Sequence, residues 1–334
     1  MAHWPRISLI TPSFQQASFL EACMSSVHDQ QYPALEHVVV DGGSTDGSNT
    51  IIERYAGRLS WWCSEQDQGQ SDAINKGLQH CTGTIFGWIN SDDLLLPGSL
   101  ETVGKAFADD PSLVVFEGVR LLRREGVEAA PSNDPADMRS LFTKPYINQQ
   151  STFYRMDAVR AAGGVESALH YIMDLELWWR IMFSTDGKGL KVDPRPLAEF
   201  RLHAESKTGS AQERFRHEQA GVLHGMCLQC GEHELAAILA IGYQWPAGIR
   251  TMPGAEEHPQ RVRDMALHFL LKWDHVIHHE AQFDRMRALL RWTGLAQIAR
   301  DPWLGPRIAG LAEQVRFGSW TAFRIARKVK HLLP

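Results

Sequence analysis

A chain of 334 residues with 44% hydrophobic content is long enough for one large domain, or for a domain with an appendage, and its composition suits a globular core. Its formal net charge of −5 lacks the basic surplus that phosphate-backbone binding requires, so no nucleic acid is expected as a partner. There is no charged leader followed by an apolar stretch, and nothing nears the roughly 20 apolar residues of a membrane span; this implies an intracellular protein whose five scattered cysteines stay reduced.

Residues 7–10 are an apolar run that reads as a strand, and "TPSF" follows at 11–14. A proline there is expected to stop the ladder, while Thr11 and Ser13 either offer polar groups to a base or ribose or simply form a turn. Phe19, Leu20, Cys23, Met24 and Val27 fall on one face of a helix over 17–30. A second strand at 37–40 runs into "DGGSTDGS". Its glycines permit tight turns, and Asp41 stands where ligands of α/β folds bind, although a turn with an N-cap explains much of the same pattern. The spacing is not that of a P-loop. A third strand is expected near 59–63, then a loop and helix in "DQGQSDAINKGLQHCTG", then a strand at 84–89. Strand, helix, strand in this rhythm implies a parallel sheet covered by helices.

The 84–89 strand ends in "NSDD", Asn90 to Asp93. Two adjacent carboxylates at the end of a core strand need a compensating charge, and a divalent cation with hard oxygen ligands, Mn²⁺ or Mg²⁺, supplies one. The alternative is an N-cap for a helix starting near Pro97. Another strand is expected at 113–116, and the Pro-, Ala- and Asp-rich stretch 129–140 reads as a surface loop. In "HYIMDLELWWRI" a helix carries Asp174 and Glu176 among apolar neighbours; Asp174 is either an inward base or a cap. His203 follows a strand at 197–202 and can give a metal one imidazole. Beyond about 210 the composition shifts to helix formers, which divides the chain into 1–210 and a helical region 211–334. The last segment, "RFGSWTAFRIARKVKHLLP", is a basic amphipathic helix suited either to an anionic membrane surface or to packing on its own domain.

Taken in order, "LITPSF", "VVVDGGSTDG", "DQGQSDAINKG", "GWINSDDLLLPG", "NQQSTFYR", "MDLELWWRI" and "FRLHAESKT" resemble the family 2 glycosyltransferases of the GT-A fold. The resemblance runs from about 7 to 208. It implies a Rossmann-like, mixed and mostly parallel sheet with helices on both faces, and an inverting, metal-dependent transfer from a nucleoside diphosphate sugar, UDP favoured, to a saccharide or lipid-linked saccharide. By the same resemblance Asp92, Asp93 and His203 hold the metal. Thr11, Pro12, Ser13 and Asp41 line the nucleoside pocket, and Asp67, Asp72, Asn75 and Lys76 contact the donor. Asn90, where the family pattern is acidic, faces the ribose or sugar with Ser91. Asp174 matches the catalytic aspartate, with Glu176 as the alternative base. The helical region is left an acceptor, oligomer or membrane-surface role. A nucleotide-sugar pyrophosphorylase lacks its expected "GxGxR" opening here; a non-catalytic binding protein is the other alternative, with Asn90 and Met173 as its footing.

Overall fold

The computed structural model describes residues 4–124, 127–131, 138–143, 147–204, 206–273, 277–298 and 300–330. The chain divides into two compact units: Met1–Ala136 with Tyr146–Gln212, and Asp137–Pro145 with Glu213–Pro334.

In the first unit, β1 (Ile7–Ser13), β2 (Leu35–Asp41), β3 (Trp61–Ser64) and β4 (Ile85–Trp88) pair in parallel in the order β3-β2-β1-β4. The sheet continues through β8 (Thr152–Arg155), β6 (Val115–Arg124), β9 (Leu190–Leu202) and β5 (Leu94–Leu95), with β7 (Val127–Pro131) paired to β6. Here the pairing is mixed: β8 is antiparallel to both neighbours, whereas β6 and β9 run parallel.

Side chains of a strand alternate between faces, so successive residues of β1 meet different helices. Ile7 and Leu9 join the core under α1 (Ala17–His28) and α4 (Ser99–Asp109), through Cys23, Val27, Leu100 and Val103. Ile10 lies under α3 (Gln70–Leu78), whose Gly77 sits so close that an added Cβ would stand 3.0 Å from the Ile10 side chain. A smaller cluster joins α1 to α2 (Ser48–Tyr55) and β2 through Leu20, Met24, Ile52 and Val39. Helices thus cover both faces. Two short helices, α5 (Met138–Thr143) and α6 (Met156–Ala161), precede α7 (Met173–Ser184).

Two sequence expectations are corrected. Pro12 does not end β1: the register continues through Pro12↔Val40 to Ser13↔Asp41. Ile10 turns its carbonyl to Ile89 N beside β4 (2.9 Å), and residues two apart address the same neighbour. The missing N–H of Pro12 therefore falls where the β4 pairing, which ends at Ile10↔Trp88, has stopped. Nor is the 129–140 stretch loop throughout: Ala130 and Pro131 pair with β6 at a sheet edge and residues 138–140 are helical, while 132–137 lie outside the described residues.

Beneath β1 and β2 lies a buried histidine pair. Thr11 Oγ1 is 3.0 Å from His37 Nε2, and His37 Nδ1 is 3.2 Å from His28 Nε2. Burial, with the neighbouring His28, lowers His37 to about 3; burial, with Arg58, lowers His28 to about 4. The unfolded chain takes up these protons first, so the stability they contribute is complete above about pH 6.5 and is lost as pH falls toward the folded values. Urea unfolding should show a loss between pH 7 and pH 5 of roughly 2 kcal/mol from His37 and less from His28, which lies nearer the surface. Equal stability at the two pH values would contradict this account.

The regular elements among the described residues of the second unit are helices: α9 (Gln212–Gln229), α10 (His233–Leu239), α11 (Pro259–Trp273), α12 (Glu280–Leu289), α13 (Leu295–Ile298), α14 (Leu304–Gln314) and α15 (Trp320–Lys330), with α5 added; α8 (Lys207–Ser210) closes the first unit. Val262, Met265, Ala266, Phe269 and Leu270 bury one side of α11, which packs on α5, α10 and α14. No helix among the described residues is long and apolar enough to cross a membrane.

Candidate active site

A cleft of about 730 Å³ opens at the C-terminal ends of β1 to β4, where the strands of an α/β sheet deliver ligands to loops. Pro12 and Ser13 at the end of β1 line it with Phe14, as do Gly42 and Gly43 after β2, Gln66 and Asp67 after β3, and Asn90, Ser91 and Asp92 after β4. Phe200, Ser206, Lys207 and Thr208 complete it.

The wall after β2 is built by Asp41. Its carboxylate is fully buried and accepts from Gly43 N (3.1 Å), Ser44 N (2.8 Å), Ser44 Oγ (2.6 Å) and Ser64 Oγ (2.7 Å). That bonding fixes the loop and leaves Gly42 against its neighbours: a Cβ there would meet Asp67 Oδ2 at 2.9 Å and the Phe14 ring at 3.1 Å. Asp67 accepts from Gly69 N (2.8 Å); burial, aided by the charges of Asp72 and Asp41, holds its carboxyl above the ordinary range against that bond. Ser13 Oγ is buried in the same wall with no hydrogen-bond partner among the described residues, an unmet donor and acceptor facing a cleft.

The floor is the "NSDD" turn, closed by Asp93 N donating to Asn90 O (2.9 Å). Asp92 Oδ2 lies 3.1 Å from His203 Nε2, and the His203 ring stacks on Phe19 with centroids 4.3 Å apart. Arg201 holds the turn from behind, donating through Nε to Asp92 O and through Nη2 to Phe19 O (3.1 Å). Asp93 points the other way. It is completely buried, with Oδ1 accepting from Arg201 N (3.1 Å) and Oδ2 from Gln150 Nε2 (2.9 Å), and burial, then the Asp92 charge, pushes its carboxyl well above the usual range. Asn90 is engaged on both atoms: Gln70 Nε2 donates to its Oδ1 (2.6 Å) and its Nδ2 donates to Gln149 Oε1 (3.2 Å).

Asp174 stands half-buried in the first turn of α7. Its charge reaches the buried Tyr154 phenol, which burial, then Asp174 and Glu117, raises above its ordinary value. The Tyr154 ring stacks on Trp88, two residues before Asn90 (6.4 Å, 10°). Glu176 is different: fully buried, it accepts from Arg180 Nε (2.8 Å) and Nη2 (2.5 Å).

The structure therefore gathers Pro12, Ser13, Asp67, Asn90, Ser91 and Asp92 in one cleft, with His203 against Asp92. It turns others away. Thr11 is buried with its hydroxyl on His37, and Asp41 is buried in its loop. Asp72 accepts from Gln68 N (3.1 Å). Asn75 brackets Val165 on both backbone atoms, and Lys76 pairs with Glu65 (2.8 Å). Asp93 is not placed to hold a metal, and Glu176 is not placed to act as a base. Phe14, Gln70 and Lys207 were not anticipated. All three stand inside quoted motifs, "LITPSF", "DQGQSDAINKG" and "FRLHAESKT", but only the fold shows that they border the cleft.

Residues 8–160 match the model of glycosyl transferase family 2. Through this segment, a little under half of its length, the chain is similar to that family. Among curated relatives, an uncharacterized glycosyltransferase of Mycobacterium tuberculosis is 27% identical over 50% of this chain and 64% of its own length. The putative teichuronic acid biosynthesis glycosyltransferase TuaG of Bacillus subtilis is 31% identical over 38% of this chain and 52% of its own length. The amylovoran biosynthesis glycosyltransferase AmsE of Erwinia amylovora is 30% identical over 49% and 64%. The matches thus span between half and two-thirds of these relatives. Among solved structures, Staphylococcus aureus TarS 1-349 in complex with UDP aligns with a TM-score of 0.57 at 16% identity, covering 97% of this chain and 91% of that one. The mannosyltransferase PcManGT from Pyrobaculum calidifontis, in complex with GDP-Man and Mn²⁺, aligns with a TM-score of 0.51 at 19% identity, over 94% and 88%. At such identities the likeness is one of fold, and the chain has the mixed α/β GT-A architecture.

Proposed function

We propose that the chain transfers a sugar from a nucleoside diphosphate, UDP favoured, to a hydroxyl of a saccharide or lipid-linked saccharide, inverting the anomeric centre, in assembly of a cell-surface polysaccharide or glycolipid. The observation that carries this reading is the cleft floor: Asp92 is presented beside His203 below a wall whose buried Ser13 hydroxyl has no partner among the described residues. The two aligned structures, TarS 1-349 in complex with UDP and PcManGT in complex with GDP-Man and Mn²⁺, support a nucleotide-sugar donor.

Asp174 takes the proton of the acceptor hydroxyl while that oxygen bonds to the anomeric carbon. The bond from that carbon to the diphosphate oxygen breaks on the opposite face, and the electron pair leaves with the diphosphate. A single displacement of this kind needs no protein nucleophile. Asp92 and His203 suit Mn²⁺ or Mg²⁺ as one hard oxygen and one imidazole 3.1 Å apart, with the remaining ligands coming from diphosphate and water. When bound, such an ion supplies Lewis-acid stabilisation of charge on the leaving group. Among the described residues no group of three His, Cys, Asp or Glu side chains could hold it alone. Release of nucleoside diphosphate from UDP-, GDP- and dTDP-linked sugars by the full chain in Mn²⁺ is the direct measurement; neither binding nor turnover with any of the three would end this reading.

The C-terminal helix extends the proposal to an anionic membrane surface. Ile325 is 58% exposed on α15, whose sequence carries Arg324, Arg327, Lys328 and Lys330, the pattern of an interfacial basic helix. The full chain should co-sediment with phosphatidylserine-containing vesicles, and deletion of residues 319–334 should release it. Sedimentation unaffected by the deletion would remove the membrane role.

A further inference from the structure

We propose that Gln149, Asn90 and Gln70 form a one-way relay of amides that positions the cleft floor, so that position 90 works only as an amide and an acid placed there weakens the hold on a metal-bound nucleoside diphosphate. The inference rests on the glycosyltransferase reading and concerns how its donor site is held in place. By charge alone, a second carboxylate beside Asp92 would strengthen a divalent site. The hydrogen bonds around Asn90 oppose it.

Each end of the relay is fixed by a group of one polarity. At the inner end stands a backbone carbonyl, which can only accept: β4 pairs with β8 through Ile85 and Phe86, and beyond that ladder Gln149 Nε2 donates to Trp88 O (2.7 Å). The Gln149 oxygen is thereby turned to Asn90, whose Nδ2 donates to it (3.2 Å). Asn90 Oδ1 accepts from Gln70 Nε2 (2.6 Å), and Gln70 Oε1 accepts from Lys207 Nζ (3.0 Å), a group that can only donate. No amide of the three can turn over without setting two donors or two acceptors face to face. A carboxylate at position 90 would do so at once. It would oppose Gln149 Oε1, and it would also oppose Asp93 Oδ2, which lies 3.5 Å from Asn90 Nδ2. The backbone of Asn90 is tied as well, its carbonyl accepting from Asp93 N (2.9 Å) and Cys23 Sγ (3.4 Å). Asp92 lies within that turn, so a shift of Asn90 moves the carboxylate that meets His203. Gln149 is 6% exposed and does not line the cleft; it can influence a ligand only by positioning what does.

Calorimetric titration of the full chain with UDP, GDP and dTDP in Mn²⁺ tests this, with urea midpoints to show that each variant is folded. Asn90→Asp should weaken the nucleotide that the wild type holds best by about tenfold or more, as expected when a buried acceptor loses its donor. Gln149→Glu, which sets a carboxylate against the Trp88 carbonyl, should produce a loss of the same order from outside the cleft. In a Gln149→Ala background the opposing oxygen is gone, and Asn90→Asp should cost several-fold less than it does in the wild type; two independent injuries would simply add. Nucleotide binding by Asn90→Asp as tight as wild type or tighter, or the same cost with and without Gln149, would overturn the proposal while the donor reading stands. No binding of UDP, GDP or dTDP by the wild type in Mn²⁺ would overturn both.

Discussion

Asp174→Asn should lower the rate of sugar transfer by about 10²- to 10⁴-fold, the usual contribution of a positioned general base, while UDP affinity stays close to wild type. The substitution keeps the shape of the side chain and removes the proton acceptor. Three features support that proposed role. Asp174 is in the first turn of α7, where the helix dipole stabilises a carboxylate. It is half-buried, so an acceptor can approach while solvent is partly excluded. Its charge is felt by the Tyr154 phenol, whose ring stacks on the strand leading to Asp92. Single-turnover rates at saturating donor, read beside calorimetric UDP binding, distinguish lost chemistry from lost binding. A fall of less than about tenfold would move the base to another residue.

Glu176→Ala should destabilise the fold by about 3–5 kcal/mol, because it strands a buried guanidinium. The Arg180 and Glu176 side chains are 3% and 1% exposed. Arg180 also donates to the carbonyls of Ala162 and Gly164, so it cannot swing out without releasing the loop before α7. Replacing both partners, Glu176→Met with Arg180→Met, should cost less than the single change, since no unpaired charge is left. Urea midpoints of the two variants decide the matter, and a single variant as stable as wild type would refute the buried-pair account.

The contrast between Asp174 and Glu176 shows where sequence reasoning stops. "MDLELWW" presents two acids two residues apart, which on a helix point about 200° apart around the axis. Which one faces the core depends on what packs above, and that is written in the 162–164 loop and Arg180. The same holds at "NSDD": Asp92 and Asp93 stand side by side in the turn that follows β4, and nothing in their order says which of them turns inward. The order of motifs placed both at the sheet edge; Gln150 and Arg201, 57 and 108 residues away, chose between them. Asn75 and Lys76 were assigned by motif alone, and their side chains are taken by Val165 and Glu65. By contrast the parallel half of the sheet was legible because apolar runs, helical periodicity and glycine stops act locally. Pro12 misled because a missing N–H matters only where a neighbouring strand asks for it.

Helix α5 has a consequence for how the chain is made. Met138–Thr143 belongs to the second unit, although the chain returns at Tyr146 to the first. Its partner α11 starts at Pro259, more than a hundred residues later in synthesis. Leu141 and Phe142, 5% and 1% exposed in the finished protein, therefore leave the ribosome before the α11 surface that packs on their helix has been made. A chain cut after Gln212 would lack that surface permanently, and aggregation of such a fragment would reflect a helix without its α11 partner and say nothing against the sheet that holds Asp92.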